Sequence, residues 1–192
     1  QAFDSGAKIH ELLVSPELLI SEYGQSLIEQ ANKHKIPVLE LSSSVFATFA
    51  RKEKPQGIAA LIAQKWLVLD SAFAQPGSFW VALESIQNPG NLGTILRTCD
   101  AVGANGLILL DNSTDPYDPA AVKASMGSIF TVPHFRADYP VFKAFLERSA
   151  DLQVIGTSDK AAKSAFEVAF PSTVLLLLGS ERQGLSEQYI SL

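Results

Sequence analysis

Three glycine-containing stretches hold the side chains best able to do chemistry. In the first, NPGNLGTILRTCDAVGA, the residues Asn88, Pro89, Gly90 and Asn91 make a tight turn into a helix. Asn91 is the predicted N-cap, and Gly103 the left-handed residue that closes the helix. Leu92, Ile95, Leu96, Cys99 and Val102 recur at helical spacing as a stripe expected to pack on a sheet, and Arg97 falls off it. Spacing alone also fits a solvated Arg97 and a plain capping Asn91. In the second stretch, YDPAAVKASMGSIFTVP, Asp118 before Pro119 opens a short helix, Gly127 ends it, and a strand is expected to lead to Pro133. Its Lys123, Ser125 and Gly127 suit an approach to a substrate or a second subunit, and equally suit plain helix packing. In the third, LLLLGSERQGLSEQ, Gly179 and Gly184 bracket a polar loop at the carboxyl end of a buried strand, where backbone can approach a ligand closely. A helix is expected near Ser186.

Some chemistries are disfavoured. No glycine-rich loop ends in Lys followed by Ser or Thr, and no G-x-G-x-x-G occurs, which speaks against ATP and nicotinamide enzymes. His10, His34 and His134 have no metal-ligand spacing, and no metal is expected. The single Cys99 excludes an internal disulfide framework.

The elements that must position these loops read as two modules. Runs FWVALESI, GLILLD, LQVIGTS and TVLLLLGS are apolar on both faces, the mark of parallel strands covered by helices. In open sheets of this kind ligands sit outside the carboxyl ends of the strands, so the loops after Ile86, Leu110, Gly156 and Leu178 are the places to search. Upstream, His10 to Leu61 alternates strand and helix as a small α/β module, with a helix read from ELLISEYGQSLIEQANKHK and another at residues 44–50. The predicted organisation is a small domain over residues 1–69, a linker over 70–78 and an α/β domain over 79–192.

The chain has 192 residues, is 47% hydrophobic and carries a net charge of −5, so nucleic acid is not bound here by bulk positive charge. Its longest apolar run, Val174 to Leu178, is far short of a membrane span of roughly 20 residues. Gln1 to Gly6 shows no signal peptide and no initiator Met, so the natural N-terminus is expected upstream, and with a single cysteine a reducing cytoplasm is the expected compartment.

Taken in order, NPGNLGTILRTCDAVGANGLILL, AVKASMGSIFTVP and LLLLGSERQGL resemble the three signature motifs of the SpoU (TrmH-like) RNA 2'-O-ribose methyltransferases, from Val81 onward. The region containing KPQGIAALI is similar to the small L7Ae-like RNA-binding domain that many members carry. The resemblance implies a SPOUT fold, an α/β domain of parallel strands with helices on both faces and a C-terminal trefoil knot. It also implies S-adenosylmethionine as cofactor, RNA as partner (rRNA before tRNA) and a homodimer through the knot region, with Trp80 or its apolar neighbours helping to bury the interface. Asn91 and Arg97 match the family's reaction-centre pair, Glu181 its third-motif acid, and Gly179 its cofactor-contacting glycine. Ser180, Gly184 and Thr157 are the further cofactor-binding candidates. Members continue through an Ile-Pro-Met-like loop and a Ser-Leu-Asn segment that complete knot and pocket, and residues of that kind are expected beyond Leu192.

In the mechanism this implies, Arg97 holds a phosphate of the target nucleotide and stabilises the developing alkoxide, while Asn91 and Glu181 orient it. Side chains read an RNA duplex poorly, so the substrate is expected to be a loop or bulge. Lys33, Lys35, Arg51, Lys52 and Lys54 are candidate phosphate contacts, or else an ordinary solvated face. Two alternatives stay open: a non-catalytic RNA-binding or ribosome-assembly protein on the same fold, and an unrelated small-molecule α/β enzyme.

Overall fold

Strands that are apolar on both faces can be buried only in the middle of a layered structure, and the chain builds one around three of them. In the computed structural model, which describes residues 1–50 and 54–192, these are β4 (Phe79–Glu84), β5 (Gly106–Leu110) and β8 (Val174–Leu178). With the edge strands β6 (His134–Ala137) and β7 (Gln153–Gly156) they form a five-stranded sheet in the order β6-β5-β4-β8-β7, every pair parallel. Alternate side chains feed two cores. Trp80, Ala82, Ile108, Leu110, Leu175 and Leu177 point to one face, against Phe142 and Phe145 of α5 (Tyr139–Arg148) and Tyr189 of α6 (Glu187–Ile190). Val81, Leu83, Leu107 and Leu109 point to the other, against Leu92, Leu96 and Cys99 of α3 (Pro89–Ala101). Helices therefore cover both faces, as expected.

The chain runs outward from β4 through β5 to β6, then returns to place β8 on the other side of β4. The crevice between the carboxyl ends of β4 and β8 is thus a topological switch point, where open sheets of this class bind ligands.

Local differences from the sequence reading have physical causes. The N-cap of α3 is Asn88, whose side chain accepts from the N–H groups of Gly90 and Asn91; Pro89 takes the first helical position, where its missing N–H costs nothing. Val102, counted in the apolar stripe, is 58% exposed because the helix stops at Ala101. Gly103 has the expected left-handed φ of 68°. Asp118 caps α4 (Pro119–Ala124) as expected. After Gly127 (φ 98°) the chain makes a 3-10 turn at Ser128–Phe130 where a strand was expected, and the true strand, β6, begins after Pro133. Trp80, proposed from sequence for an interface, is 5% exposed and packs on Phe135 and Phe145 in the core, so it is not available to a partner.

The chain divides into two compact units at Gln64/Lys65. The stretch 70–78, read from sequence as a linker, is tied to the second unit: the Ala74 N–H donates to Ser149 Oγ (3.0 Å) and the Gly77 N–H to Thr173 Oγ1 (2.9 Å). The first unit has β1 (Ile9–Val14) at the centre of a β2-β1-β3 sheet, parallel to β2 (Val38–Glu40) and antiparallel to β3 (Ile58–Ile62). Its helices are α1 (Glu22–Lys33), capped by Ser21, and α2 (Ser43–Ala50). The helix read from Glu17 begins five residues later because Ser15 starts a turn that takes the N–H groups of Leu18 and Leu19. Among the described residues, no helix is long and apolar enough to cross a membrane.

Candidate functional site

The residues at the switch point are held by strained and cross-linked backbone. Ser85 and Asp111, just past β4 and β5, sit at φ 54° and 52°, a left-handed conformation that costs non-glycine residues about 1–3 kcal/mol and gathers at ligand sites. Gln87 Nε2 donates to the Asn112 carbonyl (2.7 Å) and the Ser85 carbonyl (3.3 Å), tying the two loops together. Beneath them Ser113 Oγ accepts from the Ile86 N–H and lies 2.7 Å from the Leu110 carbonyl.

The loop after β8 folds tightly on itself. Ser180 and Gly184 exchange both backbone hydrogen bonds (3.1 and 3.0 Å), with Gly184 at φ 68°. A Cβ on Gly179 would collide with the Gly184 carbonyl, so a side chain there would pry the loop open. Buried Glu84 anchors its exit by accepting the Ser186 N–H at 2.9 Å.

This loop brings Glu181 to α3, where Asn91 Nδ2 donates to Glu181 Oε1 at 2.9 Å across 90 residues of sequence. That hydrogen bond is the chief reason the Glu181 carboxyl lies below its ordinary pKa, followed by a backbone N–H; burial opposes it, and a further backbone N–H and the Arg182 charge add to the lowering. Glu181 therefore stays an anion through the neutral range.

Two cavities flank the loop. The larger, about 790 Å³, lies between Ser85, Gln87, Asn88, Asn91 and Asn112 on one side and residues 180–183 on the other. The smaller, about 490 Å³, is bounded by residues 157–160 after β7 and 179–184 after β8. Both fall within the roughly 300–1,000 Å³ of small-molecule sites, and residues 180–183 form the wall between them.

Of the sequence candidates, Asn91 and Glu181 meet, and Thr157, Gly179, Ser180 and Gly184 all line the smaller cavity. Arg97 does not join them. It is exposed, lines neither cavity, and its spacing from Asn91 turns it about 240° around the helix. Asn91 and Glu181 hydrogen-bond each other, and among the described residues no hydrogen bond joins either of them to Arg97. In the second stretch Ser125 is fully buried and α4 packs against Gly93 of α3, so Ser125 serves helix contact, while Lys123 is exposed. Ser85, Gln87, Asn112, Arg182 and Gln183 line the larger cavity without having been singled out; their signal was position, just beyond strand ends. Burial pushes the Cys99 thiol up to about 11, which removes it as a nucleophile. No cluster of metal-ligating side chains occurs among the described residues. Arg51 and Lys52 lie outside the described residues, while Lys33, Lys35 and Lys54 are exposed.

Residues 78–192 match the model of the SpoU rRNA Methylase family, and residues 1–66 that for RNA 2'-O ribose methyltransferase substrate binding. The chain belongs to the SpoU rRNA methylase family. It is 34% identical to an rRNA methyltransferase from Sinorhizobium meliloti, with a TM-score of 0.86 over 99% of this chain and 71% of that one; the same relative has also been solved bound to AdoMet. A 23S rRNA uridine 2'-O-methyltransferase of Streptomyces viridochromogenes is 26% identical over 100% of this chain and 68% of its own length. A 23S rRNA guanosine 2'-O-methyltransferase of Bacillus subtilis is 27% identical over 92% of this chain and 70% of its own. Within the SpoU fold, the motif-one helix and motif-three loop are the elements that meet at Asn91 and Glu181.

Proposed function

We propose that this protein transfers a methyl group from S-adenosylmethionine to a ribose 2'-hydroxyl of RNA, rRNA before tRNA, in the cytoplasm. The observation that carries the proposal is the pair of ligand-sized cavities that share residues 180–183 as a wall, with Glu181 of that wall held by Asn91 from the larger cavity's other side. A methyl donor on one side and a hydroxyl on the other is the arrangement an in-line displacement needs.

The smaller cavity fits the cofactor. Its hydroxyl groups and the tight Gly179–Gly184 backbone suit a nucleoside, and Asp159 and Glu181 suit a cation. Thr157, Gly179, Ser180 and Gly184 would hold it. When bound, the cofactor supplies a methyl group on a sulfonium.

The protein's own groups orient and bind. Glu181, held ionised by Asn91, accepts a hydrogen bond from the incoming hydroxyl; its lowered pKa makes it a weak base, so the proton acceptor is assigned to no residue. Exposed Arg97 binds an RNA phosphate, as a guanidinium that keeps its proton can. The first unit selects a loop or bulge. The C-terminal knot, and the pairing of two copies through it, accompany this reading as expectations of the family.

Methyl incorporation into RNA from labelled S-adenosylmethionine tests the proposal. Arg97→Ala is expected to raise the KM for RNA by about tenfold or more, as loss of a charged hydrogen bond does, with turnover at saturating RNA little changed. An unchanged KM for RNA in folded Arg97→Ala rejects its role. Full-length protein that fails to bind S-adenosylmethionine by titration calorimetry leaves the non-catalytic RNA-binding reading, and binding without RNA methylation leaves an unrelated transferase.

A further inference from the structure

The larger cavity is lined by five carboxamides, Gln87, Asn88, Asn91, Asn112 and Gln183. Three of them are committed to the protein. Gln87 ties the β4 and β5 loops, Asn88 caps α3, and Asn91 holds Glu181. The side-chain amides of Asn112 and Gln183, both exposed, make no hydrogen bond to another described residue, so each keeps a donor and an acceptor turned to solvent.

We propose that this cavity holds the base of the target nucleotide and that Asn112 and Gln183 read its hydrogen-bonding edge. A primary carboxamide presents a donor beside an acceptor, the pattern that matches the edge of a nucleobase. A phosphate fits the cavity poorly. Glu181 is an anion there, Arg182 is the one cation of the lining among the described residues, and the Gly90 and Asn91 N–H groups at the start of α3 already bind Asn88. Among the described residues no aromatic ring lines the cavity, so selection comes from hydrogen bonds and not from stacking, which is tolerant of base identity. A base taken there leaves its ribose at the wall shared with the smaller cavity, and for this the target nucleotide must be unstacked. The inference rests on the proposed RNA methylation for its substrate class.

Two measurements on the full chain test it. In the first, side-chain amide signals are followed by NMR during titration with UMP, CMP, AMP, GMP and ribose 5-phosphate, with Asn112→Ala and Gln183→Ala assigning the two signals. The expected result is that both signals move with nucleotides, more with one base than with the others, and not with ribose 5-phosphate. Equal movement with ribose 5-phosphate, or none with any nucleotide, overturns the proposal. In the second, RNA methylated by each variant is digested, and the four 2'-O-methylnucleosides are quantified. Asn112→Ala is expected to relax the preference for one base by about tenfold or more. A fall in rate with the ratio among bases unchanged also overturns it. Base-dependent shifts without methylation by the unaltered chain would instead reject the reaction and leave the base site standing.

Discussion

The carboxyl of Glu181 has its charge fixed by one neighbour, and that is a statement about pH. A pKa lowered on folding stabilises the folded state above the unfolded value, and the contribution is lost as pH falls through the folded value. Asn91 is the first cause of the lowering. Asn91→Leu is therefore expected to raise the Glu181 midpoint toward the ordinary glutamate value of about 4.3, read from the side-chain carboxyl carbon in an NMR titration. Because Glu181 is largely exposed, the change in global stability should be small, and the acidic limb of the methylation profile should move to higher pH. A midpoint that does not move would mean that the 2.9 Å contact carries no electrostatic weight.

At the scale of elements, the site depends on where α3 lies, and α3 is seated by Gly93. A Cβ there would stand 2.5 Å from the Ala121 carbonyl and 2.6 Å from Ala124 Cβ. Alanine in a helix interior ordinarily gains about 0.5–1 kcal/mol over glycine, yet Gly93→Ala is expected to destabilise by about 1–3 kcal/mol through overpacking. Urea midpoints measure this, and a stabilised variant would show that α4 moves aside freely. The sequence made β4, β5 and β8 legible because each is apolar on both faces, and it placed the Gly179–Gly184 loop at a strand end for the same reason. It missed β6, whose four residues include buried His134 and exposed Arg136 and so show no apolar run. It put the α3 cap at Asn91 because both asparagines flank the same Pro-Gly turn; only the first, preceding Pro89, has its side chain aimed at the free N–H groups. The Asn91–Glu181 contact was visible only through family resemblance. Composition cannot show that β8 returns beside β4, and without that neighbour relation residues 90 apart have no reason to touch. Arg97 was grouped with them by motif, and it lines neither of the two cavities.

For the whole molecule the governing quantity is charge. A chain of net charge −5 cannot hold RNA by a general positive field, so phosphate contacts must be few and local. In the first unit Lys33, in the last turn of α1, and Lys35, which follows it at φ 57°, are exposed, as is Lys54. If these three meet a single-stranded target, they should contribute about −2 to the slope of the logarithm of affinity against the logarithm of salt concentration. Replacing all three with glutamine should flatten that slope by about the same amount while leaving the base preference of methylation intact, because phosphate contacts position a substrate and base contacts select it. Filter binding of RNA across a salt series, paired with nucleoside analysis of the product, reads both quantities. An unchanged slope would return these lysines to an ordinary solvated face, and a changed base preference would mean that the first unit takes part in reading sequence.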